Sequence, residues 1–269
     1  MTKKDKRVFL WYDFLKTVIF LIILREASGV KMKLDELLEK YPAAKTYFEH
    51  MPSELLERYT IRTFPPGYII HQKDYPLDYF GIIVHGDHRV INEFENGNVF
   101  MIEKNEAVDF IGEVAIVAGM EKTSVTIETL TECIAFMISR KDFEMWLSKD
   151  MHFLRLIAKE IAFKLYRSSY NRGAKLFYPP TYLFMDYLLK NAEQGQIESK
   201  GSFKLNKTRE EIREELGMTV KTINRTIAKL KEQQQIGIAS GKVTLSLAQY
   251  RAALENNKLT NDFISEKRN

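Results

Sequence analysis

The sequence predicts an α+β chain: a barrel or sandwich of short strands, then a long helix, then a C-terminal winged helix-turn-helix. Three observations lead there. β-prone runs alternate with turn residues between positions 60 and 139, helical periodicity begins after Ser139, and two short helices and a hairpin follow. The 269 residues suffice for two compact domains and a connector. With 45% hydrophobic and 28% charged residues, a mostly disordered, collagen-like or disulfide-stapled chain is excluded.

Net charge and cysteine content restrict the partners only weakly. The formal charge is +4, too small by itself to indicate a polyanion, so any basic patch must be local. Cys133 is the single cysteine, which excludes an intrachain disulfide and a multi-cysteine iron–sulfur cluster. We expect a small buried hydrophobic role for Cys133 and a cytoplasmic protein.

The N-terminal segment 1–31 contains an apolar run over residues 8–24. This run resembles a signal sequence or a short membrane anchor, but Asp13 and Lys16 interrupt it and its length barely spans a bilayer. Met32 begins a good amphipathic helix. The favoured interpretation is that Met32 is the true start and 1–31 is an extension of doubtful status; a membrane-associated helix is the alternative.

The central region reads as an all-β unit. Asn96-Gly97 lies between two apolar runs and is its strongest hairpin signal, because both residues tolerate positive φ. Even spacing of short strands is typical of a sandwich or barrel. The predicted strands contain residues 68–70, 79–84, 89–91, 99–102, 125–127 and 134–138.

Helical periodicity then predicts one long helix that contacts a second copy of the chain. A heptad seam of apolar residues favours a partner helix. Phe153, Leu156 and Ile157 form a second stripe that should face the barrel. Arg172-Gly173 and then Tyr178-Pro179-Pro180 should break the pattern and mark the boundary with the next region. The predicted dimer seam comprises Leu147, Met151, Leu154, Ala158, Ile161 and Leu165.

The C-terminal pattern predicts a winged helix-turn-helix. Thr208 and Glu211 form a capping box at the start of the first helix, and Gly217 suits the left-handed turn that ends it. Thr219 can cap the second helix, and residues 236–245 read as two strands around a Ser-Gly turn.

Charge placement indicates that the second helix binds DNA. Its charged residues are basic until Glu232, as a phosphate-lined major groove requires, whereas the first helix carries mixed charges. Arg225 could read guanine and Asn224 adenine, while Thr208, Arg209, Thr219 and Thr222 are better placed for phosphates. The predicted DNA-binding residues are Thr208, Arg209, Thr219, Val220, Lys221, Thr222, Asn224, Arg225 and Lys229.

The order of these units resembles the CRP/FNR family of bacterial transcription regulators over residues 32–250. The strings at 64–72, 82–86, 109–113, 208–212 and 222–225 carry the resemblance. It implies a double-stranded β-helix (jelly-roll) barrel, a long dimerisation helix and a homodimer on a palindromic operator. It also implies RNA polymerase and a small-molecule effector as partners. No catalytic constellation appears in the sequence, so we expect no enzymatic activity.

The effector pocket departs from the cyclic-nucleotide-binding members of that family. They carry an arginine that pairs with the cyclic phosphate ten residues after the glutamate; Thr123 stands at that position here. Lys122 lies one residue away and should face the other way. Without a guanidinium fork, ordinary cyclic AMP binding is not expected, and no cofactor is predicted. The candidate pocket residues are Gly112, Glu113, Thr123, Ser124, Ser168 and Ser169.

Two rival functions stay open. His85 and His88 suggest a metal-dependent cupin-type enzyme, although their spacing and the distant His152 fit a metal poorly. The other rival function is that of a barrel regulator that acts only through protein contacts. The predicted organisation is an extension (1–31), a barrel (32–145), a dimerisation helix (146–172), a winged helix-turn-helix (173–255) and a polar tail (256–269).

Overall fold

A computed structural model describes residues 33–256, with the side chains of 170–176 left out of the description. The proposed extension 1–31 and most of the polar tail lie outside these residues. Helix α1 (Leu34–Lys40) begins the described chain, with Asp35 and Glu36 favourably placed at its N-terminal end. In the described range no helix is long and apolar enough to cross a membrane.

Two four-stranded antiparallel sheets form the barrel. One has the strand order β1-β8-β3-β6 and the other β2-β7-β4-β5. The strands are β1 (Thr60–Phe64), β2 (Ile69–His71), β3 (Tyr79–His85), β4 (Asp87–Glu93), β5 (Val99–Glu106), β6 (Asp109–Ile111), β7 (Thr126–Thr129) and β8 (Cys133–Ser139).

The barrel core joins both sheets. Ile127 of β7 packs in one buried cluster with Phe64, Ile83 and Ile111 of the other sheet. The predicted hairpin is present: β4 and β5 pair on either side of the turn in which Gly97 has φ of 77°. All six predicted strands are confirmed, and β1 and β6 are additional, because their polar residues hide the apolar pattern.

Three helices follow or interrupt the barrel: α2 (Glu113–Val117), α3 (Arg140–Lys149) and α4 (Met151–Phe177). Ser139 caps α3 by accepting a hydrogen bond from the Asp142 amide. Trp146 of α3 stacks on Phe153 of α4 with ring centroids 3.9 Å apart, which fastens the long helix to the barrel side.

The long helix differs from its prediction at both ends. Leu147 lies on α3, which ends at Lys149, so the seam on α4 begins at Met151. The helix also continues past Gly173 to Phe177. One glycine costs a helix about 1 kcal/mol, which packing can offset, whereas the prolines at 179 and 180 end it.

A C-terminal unit of five helices and a three-stranded sheet completes the described part of the chain. Its helices are α5 (Pro180–Gln194), α6 (Ile197–Lys200), α7 (Arg209–Leu216), α8 (Val220–Glu232) and α9 (Leu247–Asn256). Its strands are β9 (Ser202–Lys204), β10 (Gly237–Ala239) and β11 (Lys242–Ser246), in the order β10-β11-β9. Phe184, Ile212, Ile223, Ile227 and Val243 share its buried core, which holds α5, α7, α8 and the hairpin together.

Candidate DNA interface and effector pocket

Helix α8 presents one basic face to solvent. Ile223, Ile227 and Leu230 are buried on its inner side, as their helical spacing predicts. The opposite side exposes Lys221, Asn224, Arg225, Ala228 and Lys229. The charged side chains chosen as DNA contacts on this helix therefore lie together on its open face.

Side-chain caps fix the two helices of the motif. The Glu211 amide donates to Thr208 Oγ1 at 3.1 Å, and the Thr208 amide donates to Glu211 Oε2 at 2.6 Å, so the predicted capping box is confirmed. The backbone and hydroxyl hydrogen bonds of Thr208 lower the pKa of Glu211. Thr219 Oγ1 accepts from the Thr222 amide at 3.1 Å. Gly217 has φ of 68°, which permits the turn between the helices.

Arg209 connects three parts of this unit. Its Nε donates to Asn224 Oδ1 on α8 at 3.2 Å, and its Nη2 donates to the Gly241 carbonyl in the β10–β11 turn at 3.5 Å. The acceptor atom of Asn224 is thus already engaged, and its amide NH₂ is the group left for a ligand. Val220 is half-buried at the start of α8.

The barrel and helix α4 enclose a cluster of polar and charged side chains that we call the buried cluster: His88, Asn105, Asp109, Glu113 and Lys164. Lys164 Nζ of α4 lies 2.8 Å from Asp109 Oδ1 and 2.7 Å from Glu113 Oε1. The other carboxylate oxygen of Asp109 accepts from Asn105 Nδ2 at 2.7 Å and lies 3.0 Å from His88 Nε2. Each carboxylate is therefore paired inside the protein.

These contacts set the ionisation of the cluster. Burial pushes the pKa of Asp109 upward, but the His88 hydrogen bond and the Lys164 charge prevail and lower it to about 2. Burial likewise disfavours the charged form of Lys164, yet the carboxylates of Glu113 and Asp109 raise its pKa above the usual range. His88 Nδ1 is fully buried and has no hydrogen-bond partner among the described residues.

The predicted pocket residues fall into two groups. Gly112, Glu113 and Thr123 adjoin the barrel interior; Gly112 has φ of 90° and an added Cβ would lie 2.8 Å from Leu77. The Thr123 hydroxyl is buried and donates to the Val125 carbonyl at 2.7 Å, whereas Lys122 is exposed, as predicted. Ser124, Ser168 and Ser169 are exposed; Ser168 lies one turn beyond Lys164.

Helix α4 has two apolar faces, as the sequence indicates. Phe153 and Ile157 are buried on the face toward the barrel, where Phe153 also contacts Phe143 and Phe80. On the seam, Met151 is 62% and Leu165 67% exposed. Ala158 is exposed too, and Leu154 and Ile161 are half-buried.

The rival metal site has little support from geometry. Among the described residues, no group of three or more His, Cys, Asp or Glu side chains could hold a metal ion. His71 bonds the Tyr79 hydroxyl at 2.9 Å, and the His152 ring contacts His50. Cys133 is fully buried, as expected, and burial raises the pKa of its thiol to about 11.

Sequence reasoning overlooked His88, Asn105, Asp109 and Lys164 as members of the pocket region. His88 was considered only as a metal ligand, and Lys164 belongs to neither apolar stripe of α4. A lysine outside both apolar stripes of α4, together with Asp109 and Glu113 on either side of an apolar pair at 110–111, was the available signal. Pairing over 51 residues or more cannot be read from local periodicity.

The described chain thus joins an antiparallel barrel through a long helix to a winged helix-turn-helix. Comparison with known proteins agrees. Residues 61–150 match the cyclic nucleotide-binding domain family. The chain is 26% identical over 175 residues to the cAMP-activated global transcriptional regulator CRP of Salmonella typhimurium, covering 65% of this chain and 82% of that protein. A CRP-like cAMP-activated global transcriptional regulator of Mycobacterium tuberculosis is 22% identical over 185 residues, covering 68% and 82%.

Solved structures show the same fold. The c-di-GMP responsive global regulator CLP of Xanthomonas campestris aligns with a TM-score of 0.62 at 15% identity, covering 76% of this chain and 98% of that one. A protein of the crp/fnr family from Eubacterium rectale aligns with a TM-score of 0.61 at 14% identity, covering 78% and 93%. The chain is therefore similar to the CRP/FNR transcription regulators, as its motifs predicted, and has their jelly-roll and helix-turn-helix fold.

Proposed function

We propose that this protein is a homodimeric DNA-binding regulator that reads a palindromic operator through helix α8. The observation that carries the proposal is the exposed face of α8, whose charged groups are all basic up to Glu232 at the last position of the helix. In a helix-turn-helix the second helix enters the major groove, and its N-terminal residues contact base edges. The remaining surface of α8 is buried in its own unit, so this face is the one available to DNA.

Individual roles follow from position and chemistry. Arg225 presents a guanidinium fork that matches guanine O6 and N7. Asn224 offers its NH₂ group to a base acceptor, while Arg209 engages its oxygen. Lys229 lies a turn further along and contacts phosphate, as do Thr208 and Thr219 at the helix starts.

The second copy pairs through the open seam of α4. Met151 and Leu165 are large apolar side chains left mostly exposed on a helix whose other face is already covered. A parallel pairing of two such seams buries them and places two α8 helices on one side of the dimer. Leu165→Arg should therefore shift the protein to monomers in sedimentation velocity, while Lys159→Ala, an exposed residue off the seam, should not.

DNA binding is tested with the protein's own upstream DNA. Fluorescence anisotropy of labelled upstream fragments, across a range of salt concentrations, should reveal one fragment bound more tightly than composition-matched DNA. The logarithm of the binding constant should fall linearly with the logarithm of salt concentration, because each neutralised phosphate releases counterions. Equal, weak binding to every fragment would contradict the proposal.

For the effector we propose a ligand other than cyclic AMP in its ordinary binding mode. Thr123 replaces the arginine expected for the cyclic phosphate, and Glu113 is already paired with Lys164 at 2.7 Å. In a thermal-shift screen cyclic AMP should leave the melting temperature unchanged; a dose-dependent rise with cyclic AMP would overturn this assignment. RNA polymerase is the protein partner expected at regulated promoters, and the cytoplasm the compartment.

A further inference from the structure

A hairpin of the barrel lies against the first helix of the DNA-binding motif. Arg89 of β4 donates through Nη1 to Glu214 Oε2 on α7 at 3.0 Å. Closer to the hairpin turn, Arg213 Nη1 of α7 donates to Asn98 Oδ1 at 2.8 Å. Two separate polar contacts thus join the barrel to the winged helix-turn-helix.

Arg89 is held in place for this contact from within the barrel. Its Nε donates to Glu128 Oε2 at 3.0 Å, and Glu128 of β7 is its register partner across the sheet. The side chains of Arg89, Glu128 and Glu214 are only 24%, 21% and 21% exposed. A planar guanidinium between two half-buried carboxylates makes stronger hydrogen bonds than an exposed surface pair.

The residue beside Arg89 faces the barrel interior. Successive side chains of a strand point to opposite faces, and His88 is fully buried where it meets Asp109 at 3.0 Å. Asp109 in turn holds Lys164 of the long helix. Two consecutive residues of β4 therefore contact the buried cluster on one side and the DNA-binding unit on the other.

Helix α8, the proposed DNA-reading helix, must move together with α7. Ile212 of α7 and Ile223 and Ile227 of α8 share one buried core, so the two helices move as one body. In the arrangement that Arg89 holds, the basic face of α8 stays exposed. A shift of β4 therefore reaches α8 without passing along α4.

We propose that Arg89 is a latch between barrel and DNA-binding unit, through which strand β4 transmits the state of the buried cluster to helix α8. The latch rests on the proposed DNA-binding function and adds its regulation. It holds the recognition face open and oriented, so its loss weakens binding to all DNA sequences alike.

Charge reversal tests the latch directly. Arg89→Glu and Glu214→Arg each break the pair, and the double variant restores it with the charges exchanged. We expect each single variant to speed amide hydrogen exchange in β5 and α7 about tenfold, as loss of one charged hydrogen bond implies, and the double variant to recover most of it. Arg89→Glu should have the larger effect, since three carboxylates would then meet.

The control is Arg251→Glu, which breaks the exposed Arg251–Glu198 pair within the C-terminal unit. It should leave exchange in β5 and α7 unchanged. Glu214→Gln gives a milder variant that leaves Arg89 paired with Glu128, should the reversals fail to fold. Unchanged exchange in the single variants, or no recovery in the double variant, would overturn the latch. So would tighter DNA binding once the pair is broken.

A second variant tests transmission from the buried cluster. Glu113→Gln weakens one of the two carboxylate contacts of Lys164 and should alter exchange in α7 about threefold, within the usual range of coupling energies. In the Arg89→Glu background the same change should have no further effect on α7. An equal effect in both backgrounds would show that coupling bypasses Arg89. Amide hydrogen exchange is measured without DNA. Failure of the protein to bind DNA would therefore refute the proposed function, while the exchange rates test the latch separately.

Discussion

The buried cluster of the barrel and the exposed face of α8 use the same kinds of charged side chain in opposite ways. In the barrel, Lys164 is enclosed by Asp109 and Glu113 at hydrogen-bonding distance. On α8, Arg225 and Lys229 are exposed to solvent on a face that carries no acidic residue before Glu232, where the helix ends. Charges that are paired inside the protein hold its parts together, whereas exposed charges of one sign are available to bind a partner.

This difference separates structural from binding roles without any bound ligand. Changes in the buried cluster should act mainly on stability and coupling, because they leave a buried charge without its partner. Changes to Arg225 or Lys229 on α8 should act mainly on DNA affinity, because both side chains are exposed on the open face. The following changes test that division, beginning with the largest expected effect.

Asp109→Ala should destabilise the barrel by about 3–5 kcal/mol, because Lys164 and His88 lose their shared partner. Urea unfolding followed by circular dichroism measures this. Asp186→Ala, which removes an i,i+4 pair with Lys190 on a partly exposed helix face, should cost less than about 0.5 kcal/mol. Equal costs for the two variants would erase the distinction between the regions.

Stability measured at low pH should reveal the contribution of the same carboxylate, that of Asp109. The pKa of Asp109 is about 2 when folded, below its unfolded value near 3.9, so the unfolded state binds more protons. Its contribution, about 2 kcal/mol, is fully present above pH 4 and is lost as the pH falls toward 2. In Asp109→Asn this part of the stability–pH profile should be missing. A profile identical to that of the wild type would contradict the pairing.

Arg225→Ala should cost about 1–3 kcal/mol in binding at one operator position and relax base preference there. Anisotropy titrations on single-base operator variants measure it. Lys229→Ala is the matched comparison: it should weaken all sequences alike and reduce the salt slope by about 1. Full selectivity in Arg225→Ala would show that this residue reads no base.

Thr208→Ala should destabilise the C-terminal unit by about 1 kcal/mol, because the Glu211 amide loses its cap. Thermal unfolding of the full chain measures it, with Thr60→Ala, an exposed threonine of β1, as the control. If both variants have the melting temperature of the wild type, the capping box adds nothing to stability.

Local signals predicted most of the fold. The Asn96-Gly97 hairpin, the Thr208 capping box and Gly217 each depend on residues close in the chain, and each is found in the structure. Strand β6 escaped prediction because Asp109 interrupts its apolar run. The end of α4 was misplaced because Gly173 is tolerated where later prolines stop the helix.

The candidate sites also differ in how far local sequence predicts them. The α8 face was predictable, since its residues recur at helical spacing within ten positions. The Lys164–Glu113 pair of the buried cluster and the Arg89–Glu214 pair were not predictable, because they join residues 51 and 125 positions apart. Such pairs are fixed only when strand register and helix docking are known.

The most direct test of the central claim is a hydroxyl-radical footprint of the wild-type protein on the fragment it binds most tightly. A dimer that places two α8 helices in successive major grooves should protect two patches on one DNA face, about 34 Å apart, with twofold-related sequences. Protection of a single patch, or none under conditions where DNA is bound, would contradict a dimeric operator-reading regulator.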